Sequence, residues 1–254
     1  MPDADLARCA DRLRDARRVV VLTGAGISAE SGIPTFRDAL TGLWARYRPE
    51  DLATPEAFAR DPGLVWRWYA WRRAMVERAE PNAGHRALAA FERRVPDFAL
   101  VTQNVDGLHQ RAGSSRVLEL HGNIMRTRCS RDGKPVERWA DGSDLPPRCP
   151  VCGAPLRPDV VWFGEPLPAA ALDAAWRAAG ACEVFLSIGT SNLVEPAASL
   201  PWHAASAGAE VIVINTAIEG QRRGPRIRYL VGPAGQVLPA LRAAAWPDLP
   251  TGAA

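Results

Sequence analysis

Residues 19–37 read VVVLTGAGISAESGIPTFR. Four consecutive apolar residues, Val19 to Leu22, suit a strand buried on both faces, as in a parallel sheet. Gly24, Gly26 and Gly32 follow, with the small residues Ala25 and Ser28 among them. A strand that feeds a glycine-rich turn and then a helix start brings backbone N–H groups beside a positive helix end, which suits a phosphate. The other reading is a tight turn that needs glycine for its backbone angles. The third glycine falls too late for the dinucleotide pattern G-x-G-x-x-G. Pro34-Thr35-Phe36-Arg37 then sets a rigid turn, an aromatic face and a fixed cation just past the turn, and an arginine can clamp phosphate or carboxylate with two bonds.

The rest of the chain repeats that opening strand. Phe98–Val101, Val117–Leu120, Val184–Ile188 and Val211–Ile214 are further apolar runs, and helical spacing marks the segments around Leu6–Ala16, His85–Val95, Ala169–Ala179, Ala197–Ala207 and Leu238–Ala245. Strands alternating with helices predict an α/β fold, a Rossmann-like doubly wound parallel sheet. Polar residues collect at the C-terminal ends of the strands: Thr23-Gly24, Thr102-Gln103-Asn104, His121-Gly122, Gly189-Thr190-Ser191 and Asn215-Thr216. Open α/β sheets bind ligands along that edge.

Two stretches break the alternation and are expected to form a smaller inserted domain, partly helical and partly zinc-ribbon-like. The implied division is 1–38, 84–122 and 161–254 for the sheet domain, with a helical insertion at 39–83 and a cysteine-bearing one at 123–160. The net charge of +3 argues for no direct nucleic-acid binding. No apolar run approaches the ~20 residues a bilayer span requires. The N-terminus is charged and amphipathic rather than a signal peptide, and five cysteines without such a signal point to reduced thiols or metal. A cytoplasmic protein is the expectation.

Three clusters can carry chemistry. In Gln103-Asn104-Val105-Asp106-Gly107-Leu108-His109, Asn104 and Asp106 present an amide and a carboxylate able to meet a polar ligand edge, or to close an Asx turn. Of four histidines, His121 alone sits at a strand end beside the presumed ligand edge, where an imidazole can exchange a proton near neutral pH. Cys149-Pro-Val-Cys152 is a two-thiolate knuckle for zinc. Its partner roughly 15–20 residues upstream has Cys129, but Asp132 stands where a second cysteine belongs. Asp132 or water then completes a weaker site, or the module folds without metal. Trp66 to Arg73 reads as a helix, which sets Tyr69 and Arg72 on one face, either as an ordinary helix surface or as a carboxylate site with a forked donor.

Gly24-Ala25-Gly26-Ile27-Ser28 with Gly32-Ile33-Pro34-Thr35-Phe36-Arg37 closely resembles the signature of sirtuins, the NAD-dependent protein-lysine deacylases, and further motifs follow in the family's order from about Leu6 to Ala245. The resemblance implies that NAD is consumed as a co-substrate, held by Gly24, Ala25, Gly26, Ser28, Phe36, Arg37, Gln103, Asn104, Asp106, Gly189, Thr190, Ser191, Asn215 and Ala234. It implies that His121 is the general base and that Asn104 and Asp106 position the nicotinamide and its ribose. Val160–Glu165 resembles the family's substrate strand, so that Val161, Trp162, Phe163 and Gly164 would pair edge-on with an extended acyl-lysine peptide, with Leu193–Pro196 lining the same groove. The pair Tyr69 and Arg72 looks like the mark of the branch that removes succinyl and malonyl groups. In this family the cysteine-bound zinc is structural, here with Cys129, Cys149 and Cys152. A mono-ADP-ribosyltransferase and a non-catalytic NAD-binding protein are the alternatives on the same fold.

Overall fold

The computed structural model describes residues 3–34, 45–139, 145–217 and 224–248. Its centre is a sheet of six parallel strands: β1 (Arg18–Thr23), β2 (Asp97–Thr102), β3 (Val117–Glu119), β6 (Val184–Ile188), β7 (Glu210–Asn215) and β8 (Ile227–Val231). They lie in the order β3-β2-β1-β6-β7-β8. The order reverses direction between β1 and β6, and that is where a doubly wound sheet opens a crevice at its carboxyl edge. The five strands expected from apolar runs all form. The sixth, β8, escapes that reading because Arg228 interrupts it and its edge position leaves most of it half-exposed.

Alternation along the strands explains their unbroken apolar runs. Val19 and Val21 point to one face, where α1 (Asp3–Asp15), α4 (Ala83–Arg94) and α8 (Ala234–Ala245) supply Leu13, Leu88, Phe91, Leu238 and Leu241. Val20 and Leu22 point to the other, against Ala175 and Ala179 of α6 (Ala169–Ala181) and Leu200 and Ala204 of α7 (Leu200–Ser206). A strand covered on both sides needs apolar residues at every position.

The two insertions pack together. The first holds α2 (Pro55–Arg60) and α3 (Pro62–Arg78), each begun by proline and capped by a side chain, Thr54 Oγ1 accepting from Ala57 N at 3.1 Å and Asp61 Oδ1 from Leu64 N at 2.8 Å. The second holds the antiparallel pair β4 (Gly122–Cys129) and β5 (Leu156–Val160). Val65, Trp68 and Tyr69 of α3 share one apolar cluster with Ile124, Val160 and Trp162, while Trp66 joins Cys129, Cys149 and Leu156 in another. A short helix, α5 (Leu108–Arg111), leads back to β3. Among the described residues no helix is long and apolar enough to cross a membrane.

Candidate active site

The glycine turn and the ends of β2, β6 and β7 meet at the reversal point. Gly24 N donates to Ile188 O at 3.0 Å and Gly26 N to Gly189 O at 2.8 Å. These two N–H groups are therefore spent within the protein rather than offered to a ligand, contrary to the simplest phosphate-cradle picture. The glycines are needed for another reason. A Cβ on Gly24 would stand 2.8 Å from Gly189 O, and one on Gly26 2.7 Å from the same atom, so only bare backbone lets the two loops touch. Gly24 itself is extended, with φ −120°. The left-handed residue of the segment is Gly32, at φ 79°.

Around this junction runs a belt of polar side chains. Asn104 Nδ2 donates to Gly24 O and to Ser28 Oγ, both at 3.1 Å, and Ser28 Oγ donates to Asp106 Oδ2 at 2.7 Å. Leu108 N donates to Asp106 Oδ1 at 2.9 Å. Burial still pushes the Asp106 carboxyl above its ordinary range, against the pull of these donors. Across the crevice Gln103 Nε2 donates to Thr190 Oγ1 and Asn215 Nδ2 to Thr190 O, each at 3.1 Å. Asn82, which the sequence did not single out, fastens the turn from outside, donating to Ile27 O at 2.7 Å and Ser31 Oγ at 3.0 Å. The structure thus brings Gly24, Ala25, Gly26, Ser28, Gln103, Asn104, Asp106, Gly189, Thr190 and Asn215 to one edge, with Ser191 exposed beside them. Ala234 begins α8, where Gly235 N donates to Glu30 Oε1 at 2.8 Å. Phe36 and Arg37 lie outside the described residues. Amides, hydroxyls and one carboxylate across a reversal point fit the ribose and amide edges of a dinucleotide.

His121 stands where β3 passes into β4. Its Nδ1 is 2.8 Å from Gln103 O. A carbonyl can only accept, so Nδ1 carries the proton and Nε2 keeps its lone pair. Burial lowers the imidazole's pKa while that hydrogen bond raises it, and burial is the larger effect. A neutral ring held in this tautomer can accept a proton at Nε2. Gly122 must be glycine: its φ is 77° and a Cβ would lie 2.2 Å from Asp159 O of β5. His85 and His109, by contrast, are buried structural residues, their rings 4.9 Å apart.

Beyond β5 the chain pairs on with the site, Val161 N donating to His121 O at 2.9 Å and Phe163 N to Ala53 O at 3.0 Å. Gly164 takes a left-handed φ of 87°. Trp162 is buried, and its Nε1 donates to Tyr69 Oη at 3.1 Å. Tyr69 and Arg72 share one face of α3. Burial pushes the Tyr69 phenol up to about 12, partly offset by the neighbouring Arg72 cation. Burial lowers the Arg72 pKa, opposed by Tyr69 and Asp106, so the guanidinium lies within electrostatic reach of the crevice carboxylate.

Cys129, Cys149 and Cys152 converge, with their sulfurs within 4.8 Å of one another and the Cys129 and Cys152 sulfurs 3.5 Å apart. Three thiols on two turns match three corners of a tetrahedral zinc site. Asp132 is not among these mutually close ligand atoms, but its carboxylate accepts a hydrogen bond from the Cys129 thiol. Its Oδ1 accepts from Lys134 N at 3.1 Å. Cys9 and Cys182 are buried small apolar residues whose thiols burial raises to about 11 and about 12.

Residues 24–196 match the Sir2 family. The chain is 55% identical to NAD-dependent protein deacylase 1 of Pseudomonas aeruginosa over 243 residues, 92% of this chain and 97% of that one. A solved Sir2 homolog–NAD complex superposes with a TM-score of 0.83 at 45% identity, covering 93% of both chains. Sir2Af2 bound to a myristoylated histone peptide superposes at 0.75 with 35% identity, covering 96% of this chain and 98% of that one. The match to the family and the likeness to its members over nearly the whole length show that the chain belongs to the Sir2 family, the sirtuins.

Proposed function

We propose that this protein is an NAD-dependent protein-lysine deacylase that removes succinyl and malonyl groups, and acetyl groups as well, and that it acts in the cytoplasm. The observation that carries the acyl preference is the placement of Tyr69 and Arg72, a buried phenol and a half-buried guanidinium on one helix face, the guanidinium within electrostatic reach of Asp106. A carboxylate at the end of an acyl chain is the natural occupant of such a pair. When bound, NAD supplies a ribose carbon that becomes electrophilic as nicotinamide leaves. Asn104 and Asp106 orient that end of the dinucleotide, and Gln103, Thr190 and Asn215 hold its ribose and phosphate portions. His121 Nε2, the nitrogen left without a proton, would take the proton from a ribose hydroxyl. Val161–Gly164 pairs with the backbone of the peptide that carries the acyl-lysine. With one water consumed, the products are nicotinamide, free lysine and O-acyl-ADP-ribose. Three thiolates, Cys129, Cys149 and Cys152, would hold a structural zinc ion away from this chemistry.

The test is turnover of matched peptides bearing acetyl-, succinyl- or malonyl-lysine by wild type and Arg72→Met. A preference for the acidic acyl groups that collapses in the variant supports the reading. A wild type without that preference, or a preference indifferent to Arg72, rejects it.

A further inference from the structure

The hydroxyl of Tyr69 has a direction imposed on it. An indole N–H can only donate, and Trp162 Nε1 donates to Tyr69 Oη at 3.1 Å. Of the charged groups near the phenol, Arg72 and Arg157 are donors without acceptor capacity, and the Glu165 carboxylate already accepts from Arg157 and from Trp162 N. The indole N–H and Arg72 both call for an acceptor, so the hydroxyl's own proton is directed away from both.

The indole is not free to turn away. Phe58 packs against it with ring centroids 5.1 Å apart, and the Arg157 guanidinium carbon lies 3.3 Å from the ring centroid on another side. Arg157 is only 7% exposed. Its two terminal nitrogens fork onto Glu165, Nη1 to Oε1 at 2.6 Å and Nη2 to Oε2 at 2.8 Å, and Nη2 also donates to Val160 O at 3.1 Å. Glu165 Oε2 accepts Trp162 N at 2.9 Å. One ion pair therefore fixes both the ring and the backbone of Trp162.

We propose that Trp162, clamped by Arg157 and Glu165, is a specificity-positioning residue: its N–H fills the acceptor side of the Tyr69 hydroxyl and makes that phenol present its proton to an acyl carboxylate beside Arg72. This rests on the acidic-acyl reading given above. An acetyl group has no carboxylate to receive that proton, so the device acts on the choice between acyl groups.

The experiment measures kcat/KM for succinyl- and acetyl-lysine peptides with the full chain and NAD, for wild type, Trp162→Phe, Tyr69→Phe and the double variant. Loss of an oriented hydrogen bond to a charged acceptor is expected to lower the succinyl-to-acetyl ratio about tenfold in either single variant. The double variant is expected to fall no further than Tyr69→Phe alone, since both changes remove one contact. Replacing Trp162 with benzothienyl-alanine, which keeps the ring shape but lacks the N–H, is expected to reproduce the ratio of Trp162→Phe and covers the case in which that variant folds poorly. The proposal is overturned if Trp162→Phe lowers both rates alike, or if the two single effects multiply. If wild type and Tyr69→Phe differ as expected while Trp162→Phe keeps the wild-type ratio, this inference fails alone. If wild type shows no preference for succinyl-lysine, the acidic-acyl reading fails and takes this inference with it.

Discussion

The buried histidine pair beneath the crevice makes stability depend on pH in a way that one substitution isolates. His85 is the third residue of α4 and closes a capping box, with Asn82 Oδ1 receiving the backbone N–H of residue 85 and Asn82 N donating to His85 Nδ1 at 3.3 Å. Nδ1 is thus the acceptor, and among the described residues the buried Nε2–H has no hydrogen-bond partner. A second proton would place a buried charge 4.9 Å from the buried His109 ring. Burial accordingly lowers the His85 pKa from 6.5 to about 4. Above pH 6.5 both the folded and the unfolded chain hold this ring neutral, and stability is at its full value. As pH falls from there, only the unfolded chain takes up the proton, so stability is lost, by about 1.4 kcal/mol per pH unit for one group. Over the window from 6.5 to about 4 the loss from His85 is roughly 3 kcal/mol. His109, also held well below 6.5 by burial, adds a loss of the same sign. His85→Gln keeps an acceptor at the capping position and cannot titrate. Urea midpoints of wild type and His85→Gln, taken at pH steps across this window, cancel every other ionisation. The two stabilities are expected to lie within about 1 kcal/mol at pH 7 and the wild type to fall progressively below the variant as the solution is acidified. Parallel profiles would show that His85 titrates alike in both states, and the reasoning would be refuted.

Three further outcomes follow from particular contacts. Gly122→Ala forces a Cβ against Asp159 O and a left-handed backbone, so it is expected to destabilise by about 3 kcal/mol and to lower turnover through displacement of His121, as read by thermal melting and kcat. Glu165→Ala leaves the Arg157 cation buried without its partner and is expected to cost about 3–5 kcal/mol in urea unfolding. Metal analysis of purified protein is expected to find zinc retained in Asp132→Ala and lost in Cys149→Ser, because only the cysteine belongs to the converging thiols.

Much of this architecture is legible in the chain because parallel strands covered on both faces must be apolar throughout, and Val19–Leu22 and Val184–Ile188 have no other plausible home. The ligand edge is legible for a related reason: Thr102-Gln103-Asn104 and His121-Gly122 are polar residues directly after such strands. What stayed hidden depends on partners that only folding brings together. Gly24 and Gly26 look like turn residues, yet their lack of a Cβ serves contact with Gly189, far along the chain. The Trp162–Tyr69 bond spans 93 positions and couples the segment after β5 to helix α3 of the first insertion. Nothing in the sequence marks Arg157 as the residue that β5 buries against the Trp162 ring. β8 was obscured by Arg228, which the sheet edge accommodates.

The most direct test of the account is mass analysis of all products when the purified protein meets NAD and a succinyl-lysine peptide. The account predicts nicotinamide and unmodified peptide released in equal amounts, with O-succinyl-ADP-ribose as the third product, and loss of all three in His121→Ala. ADP-ribose attached to a peptide that keeps its succinyl group, or product formation indifferent to His121, would contradict it.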